Sequence, residues 1–346
     1  MLYLGVSFAD ATLYGNIDQA YTNSKVTLGS RTTAQRTSIT AYQNGQSLLG
    51  VKGAEDLGDG LKASYLYEFG LATETTAAPT NRQSYVGLSG GFGALRVGKQ
   101  YSQAFDNAVA VDPAGADGAP GNLYIFGMVS YDATANPNTY EVTGGEHPLR
   151  QDRGIQYDLP TFVPGLKLGI TKVFGNANSA NNGAKVGDGT GFNASYSANG
   201  IYAGFTTDSV KGQGIIAGTG LGYTAQPTDN SKLTTLAFSY NLGMAKPSYQ
   251  NTKITVGSNT WKTDMFALSV PLGAATVYVS TSTGKMDLAG TASDFKAKGM
   301  QYGVNYGLSK RTTAYWHAGN STITPTLAGA SALKTTGFGI GVNHSF

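Results

Sequence analysis

Residues 336–346 alternate without a slip. Phe338, Ile340, Val342, His344 and Phe346 fall on one side of an extended chain, and Gly339, Gly341, Asn343 and Ser345 on the other. A strand of this kind has one face against an apolar medium and one against water. Here the wet face is nearly bare, which leaves room for an open lumen. Segments of about ten residues with the same alternation recur along the chain, the length a strand tilted by about 40° needs to cross a hydrocarbon layer. The clearest are 61–70 (Leu61, Ala63, Tyr65, Tyr67 and Phe69 on one face), 233–242 (Leu236, Phe238, Tyr240, Leu242), 265–270 and 300–308 (Met300, Tyr302, Val304, Tyr306, Leu308). Their opposite faces carry Lys, Ser, Thr, Gln, Asn, Gly and Glu. A soluble sandwich has the reverse emphasis, charged outside and with large apolar residues packed inward.

The connections come in two lengths, alternately. Tight turns are predicted at 57–60, 89–93, 158–165, 197–200, 241–244, 271–274 and 307–310. Long polar stretches lie near 23–46, 71–82, 101–151, 176–188, 208–232, 254–260, 285–298 and 319–335, and 214–227 reads equally as loop or as a further hairpin. Seven short turns and eight long loops make about 16 strands with both ends on the short-turn side. An even count, clipped on one side and looped on the other, predicts an all-β fold: a single transmembrane antiparallel β-barrel over 10–346.

Composition agrees. Charged residues are 13% of the 346, against about 25% in soluble domains, yet mean hydropathy is only −0.17. Gly, Ser, Thr and Asn fill the gap, and 48 Gly with 21 Tyr suit small lumen-facing positions and aromatic girdles. No run reaches the roughly 18 apolar residues of a membrane-spanning helix. The absence of Cys is compatible with export to an oxidising compartment, and a net charge of +3 is too small to imply nucleic acid. Residues 1–9 form a short apolar run ending in small residues; they read as the remnant of a secretory signal without its basic region, or equally as ordered N-terminal chain.

The motifs then point further. Thr12-Leu13-Tyr14-Gly15, the run from Gly50-Val51-Lys52-Gly53 through Asp59-Gly60-Leu61-Lys62-Ala63, Tyr85-Val86-Gly87-Leu88-Ser89-Gly90-Gly91-Phe92-Gly93 and Leu308-Ser309-Lys310-Arg311-Thr312, with the terminal Phe346, fall in one order along the chain. Together they resemble the general porins of Gram-negative bacteria, the betaproteobacterial type especially. That resemblance implies an outer-membrane homotrimer of sixteen-stranded barrels amid lipid and lipopolysaccharide. Each barrel would hold an aqueous channel narrowed by an inward-folded third loop. It also implies that Phe346 is a signal to the barrel-assembly machinery; the residue alone reads as a lipid-facing girdle aromatic.

The segment 101–151 is too long for an idle turn and matches the family's constriction loop. It carries Asp106, Asp112, Asp117, Asp132, Glu141 and Glu146 against one base, Arg150. Carboxylates facing basic wall residues across a narrow low-dielectric passage set a transverse field that sorts solutes by charge; singly, each acid reads as a solvated loop residue. Strand phase places Lys52, Lys62, Glu68 and Arg96 on the wet face, opposite Leu49 and Val51, the Leu61–Phe69 stripe, and Leu95 and Val97 respectively. Resemblance adds Arg82, Arg150 and Arg153 to the basic ladder, although Arg82 shares parity with Val86 and Leu88 and needs a break in phase to face the lumen. Leu48 stands where the family often has an inward Arg, and Ala114 where its loop-tip turn, here Asp112-Pro113-Ala114-Gly115, commonly has a large aromatic.

The expected function is passive diffusion of ions and small hydrophilic solutes with a mild anion preference that shrinks when Arg96 or Lys62 is neutralised. The alternative is a channel preferring phosphate, carboxylates or sugars. Enzyme chemistry finds little support, and no cofactor or metal is expected. Gly93 to Lys99 has phosphate-loop spacing, but Gln100 replaces the magnesium-binding Ser or Thr. His147, His317 and His344 lack metal-ligand spacing, and His344 and Ser345, adjacent on a strand, point to opposite faces.

Overall fold

A computed structural model describes residues 11–43, 47–115, 119–121, 150–177, 185–211, 230–287, 294–326 and 329–346. The signal-like run 1–9, Asp117, Asp132, Glu141, Glu146, His147 and 214–227 lie outside them. In chain order the strands are β1 Thr12–Leu28, β2 Arg31–Thr40, β3 Ser47–Gly58, β4 Leu61–Leu71, β5 Thr80–Gly90 and β6 Gly93–Tyr101; after helix α1 Gln103–Val111 come β7 Arg150–Asp158, β8 Leu166–Val173, β9 Asn176–Ala177 and β10 Lys185–Val186. The series continues with β11 Gly189–Ala198, β12 Ile201–Val210, β13 Ser231–Tyr240, β14 Lys246–Val256, β15 Asn259–Leu272, β16 Ala275–Asp287, β17 Phe295–Gly307, β18 Thr312–Pro325 and β19 Leu333–Ser345. β9 and β10 form a separate two-residue ladder.

Every other strand pairs antiparallel with its neighbours, β8 with β11 across that small ladder and β1 with β19, so the sheet closes on itself. Closure removes the free edges whose backbone groups would go unpaired in lipid. The sheet has 17 strands, but β2 and β3 are two halves of one stave. The upper part of β1 pairs with β2, ending at Ala20↔Thr40, and its lower part with β3, from Asn16↔Leu48. The described residues therefore make a sixteen-staved barrel, as the pattern predicts.

All seven predicted tight turns are present. Two long connections are corrected: 23–46 is mostly strand, turning at 29–30, and 254–260 shrinks to the turn at 257–258. Thr- and Lys-rich ends looked like loop because strands that project beyond the hydrocarbon layer no longer need an apolar face.

The outward face is apolar. Leu13, Ile17, Val51, Val86, Ile170, Phe238, Phe266, Met300 and Ile340 are all exposed, an arrangement stable only against lipid. Phe346 completes this face: its N–H donates to the Gly15 carbonyl at 3.1 Å, and its ring fits where a Gly15 side chain would stand. Among the described residues no helix is long and apolar enough to cross a membrane.

Candidate functional site: a narrowed lumen

Two inward projections narrow the barrel. The first is the loop after β6. Ser102 caps its helix, accepting from the Phe105 N–H at 3.2 Å, and Ala108 and Val111 pack on Ala237, Met265 and Ala267 of the far wall. Asn107 pins the same contact, donating to Thr206 Oγ1 at 2.8 Å and accepting from Tyr202 OH at 2.7 Å, while Lys246 Nζ donates to the Ala110 carbonyl at 2.9 Å. Beyond the helix, Pro120 and Gly121 lie flush on the strand backbones at Gly299, Gly319 and Gly337. A Cβ at Gly319 would collide with the Pro120 carbonyl.

The second projection is residues 41–43, which follow β2 opposite Ile17 to Gln19 of β1. Tyr42 turns into the barrel and its ring occupies the space a Gly339 side chain would need. Asp18, fully buried, holds the segment: it accepts from the Tyr42 N–H at 2.7 Å and from Tyr315 OH at 2.6 Å. The network continues from the Gln43 amide to Asn305 Oδ1 at 3.0 Å and from there to His317 Nε2 at 2.8 Å. Ala119 of the first projection packs with Tyr42 and Tyr315, so the two are joined. Asp18→Ala strands the Tyr42 N–H and the Tyr315 hydroxyl, at about 1–3 kcal/mol for each buried unpaired group. We expect a lower thermal-dissociation midpoint and a higher single-channel conductance, both measured on purified protein.

The near wall carries the basic residues. A bulge between Glu68 and Phe69 in the β4–β5 ladder supplies the phase break that Arg82 requires. Arg82 then donates from Nε to Glu68 Oε1 at 2.9 Å, with both side chains buried, and from Nη2 to the Tyr101 hydroxyl. Glu68 also accepts from Tyr14 OH at 2.9 Å. Arg150 lies over the Tyr101 ring, 4.9 Å from its centroid, and Lys52 Nζ lies 4.9 Å from the centroid of Tyr14. Tyr101 in turn stacks on Phe105 of α1 at 4.6 Å, tying ladder to loop.

Further round, Arg96 donates to Asp158 Oδ2 at 3.0 Å. Across from that pair, Asp106 of α1 opens onto the lumen. Its surroundings, barrel interior rather than bulk water, push its carboxyl pKa up, while Arg96, a Gln103 hydrogen bond and Lys167 pull the other way.

Three expected site residues have other surroundings. Asp112 is 7% exposed and closes the loop tip, its Oδ1 accepting from the Ala114 N–H at 2.9 Å. Arg153 is exposed in a left-handed backbone, φ 52°, and joins none of these contacts. Lys62 pairs across the ladder with Asp56 beside the short turn, away from the narrow zone. Two features were overlooked although signalled: Lys167, which alternates with Leu166, Leu168 and Ile170, and α1, whose Ala104, Asn107, Ala108 and Val111 have helical spacing behind a Ser cap.

The family model described as Gram-negative porin matches residues 4–324. The chain belongs to that family. This Gram-negative porin is accordingly an outer-membrane protein, and in barrels of that membrane the longer loops lie on the extracellular side. It is 33% identical over 161 residues to major outer membrane protein P.IB of Neisseria gonorrhoeae, 45% of this chain and 41% of that one. It is 45% identical over 69 residues to P.IA of Neisseria meningitidis serogroup B, 19% of this chain and 18% of that one. The porin thus aligns with less than half the length of these curated relatives. In fold it matches an anion-selective porin from Comamonas acidovorans, with TM-score 0.73, 24% identity and coverage of 98% of this chain and 100% of that one. It also matches the trimer form of Vibrio cholerae OmpT, with TM-score 0.63, 15% identity and coverage of 98% and 99%.

Proposed function

We propose that the protein is a water-filled channel for passive diffusion of ions and small hydrophilic solutes, mildly anion-selective and acting as a homotrimer. The observation that carries this reading is the charge pattern of the narrowed lumen. Arg82 and Arg96 are neutralised by Glu68 and Asp158. Lys52, Arg150 and Lys167 have no carboxylate in salt-bridge reach among the described residues. Among the wall charges open to the lumen, with Asp18 and Asp208 buried in the wall, the surplus is positive and small, and Asp106 on the loop subtracts from it, which favours anions without excluding cations. The Comamonas acidovorans anion-selective porin and the trimeric Vibrio cholerae OmpT support the selectivity and the assembly as fold-level analogues. Recognition of Phe346 by the barrel-assembly machinery, with lipopolysaccharide as the surrounding lipid, belongs to the same reading.

In planar bilayers we expect ohmic conductance and a reversal potential displaced toward that of the anion under a KCl gradient. Lys52→Gln with Lys167→Gln moves it toward zero, and Lys62→Gln moves it less. Folded trimers that fail to conduct overturn the channel reading. A reversal potential indifferent to Lys52 and Lys167 overturns the wall assignment.

A further inference from the structure

One stretch of the lumen wall gathers acceptor oxygens. Gly169 of β8 stands directly opposite Asp158 of β7 on one side and Asn193 of β11 on the other, so three neighbouring strands meet at a bare position. A Cβ there would lie 2.5 Å from Asn193 Oδ1 and 2.8 Å from Asp158 Oδ1. The two oxygens therefore converge over the Gly169 backbone. Gln156, two residues from Asp158 on the same face of β7, donates from Nε2 to Asp158 Oδ1 at 3.4 Å and carries a further acceptor, Oε1, on the same amide. Gln156 and Asn193 are 1% and 4% exposed, and neither Gln156 Oε1 nor Asn193 Oδ1 has a hydrogen-bond partner among the described residues. Buried acceptors of this kind call for a donor. Charge of both signs surrounds them. Arg96 holds the other oxygen of Asp158 at 3.0 Å, and Lys167 projects from the next lumen-facing position of β8, about 7 Å along the strand from Gly169. Asp106 of α1 lies within electrostatic reach of Arg96, Asp158 and Lys167. The two bases and two acids leave no net charge. A lone anion meets the oxygens and a lone cation meets Lys167 and Arg96, whereas a neutral molecule with separated charges satisfies both.

We propose that this stretch of wall is a binding subsite for zwitterionic α-amino acids on their way through the lumen. The ammonium group sits over Gly169 and shares its three N–H donors among Asp158 Oδ1, Asn193 Oδ1 and Gln156 Oε1. The carboxylate lies toward Lys167, and the amino acid's side chain points into the open channel. Gly169 matters because any Cβ would occupy the place of the ammonium group. The inference rests on the reading of the lumen as a solute path, and it adds the class of solute and the residues that receive it.

The test titrates detergent-purified protein with L-alanine, propionate, alaninamide and propionamide, solutes of similar size that differ in charge. Binding is read by saturation-transfer NMR, and current interruptions are recorded in parallel in planar bilayers. The expected result is saturable binding of L-alanine, with the other three about tenfold weaker or worse. Lys167→Gln, a substitution of an exposed side chain that leaves the wall intact, weakens L-alanine about tenfold and spares alaninamide. Asp158→Asn removes the partner of the ammonium group and releases Arg96, so the order reverses and propionate binds better than L-alanine. Gly169→Ala keeps every charge, displaces the ends of Asn193 and Asp158, and weakens L-alanine by at least about tenfold. Lys310→Gln, in a short turn, leaves binding unchanged. The proposal is overturned if propionate, alaninamide or propionamide binds as well as L-alanine, or if either Gly169→Ala or Lys167→Gln binds L-alanine as wild type does. Binding without conductance would sink the channel reading and leave the subsite standing; conductance without binding of L-alanine would do the reverse.

Discussion

Gly319→Val is expected to raise single-channel conductance severalfold while leaving a folded barrel. The new side chain enters the volume of the Pro120 carbonyl, and either the wall or the loop must yield. β18 is held on both edges by ladders running nearly its whole length, to β17 and β19. The loop at 119–121 is held chiefly by close packing, with a hydrogen bond from Gln301 Nε2 to the Ala119 carbonyl at 2.6 Å. Overpacking costs about 1–3 kcal/mol, enough to dislodge such a segment and too little to open the barrel. Gly307→Val is the control, because a Cβ there meets only the Ala274 carbonyl, at 3.6 Å. If Gly319→Val conducts as wild type does, the loop is not what narrows the pore.

The second large effect concerns Glu68. Glu68→Gln leaves Arg82 buried without its counter-ion, a loss of about 3–5 kcal/mol for breaking a buried pair. It also unmasks a positive charge on the lumen wall. We expect a lower thermal midpoint and a reversal potential shifted further toward the anion. Arg82→Gln destabilises similarly but shifts the potential toward the cation, because Glu68 is then the uncompensated group. The double variant should return both readouts toward wild type, since neither orphaned charge remains. Additive effects would show that the two side chains act independently and that the bulge at Arg82 serves only the backbone.

That bulge also marks where the sequence stopped being readable. The staves and tight turns could be found because lipid outside and water inside impose a strict two-residue alternation, as in β19. Nothing comparable signals an extra residue: Arg82 shares parity with Val86 and Leu88, and only the ladder register shows the slip that turns it inward. Residues 41–43 were hidden for the same reason, since Tyr42 and Gln43 look like loop until Asp18 and Tyr315 arrive from distant strands to receive them. Helix α1 differs, for its cap and apolar spacing stand in plain view inside a segment read as loop because of its length. The lumen-facing phase of Lys52, Glu68 and Arg96 was legible, but the pairing that silences Arg96 and Arg82 was not. Ion pairs join residues far apart in the chain, and parity fixes only the face on which each one stands.

β1 is hydrogen-bonded along one edge to β2 and β3 and along the other to β19. The opening strand therefore finds its second neighbour only among the final residues of the chain. Until these emerge, the growing polypeptide is a ribbon with two adhesive margins, able to zip onto any passing strand. Secretion must deliver the whole length, shielded, before the first and last staves can meet and the cylinder becomes self-satisfied.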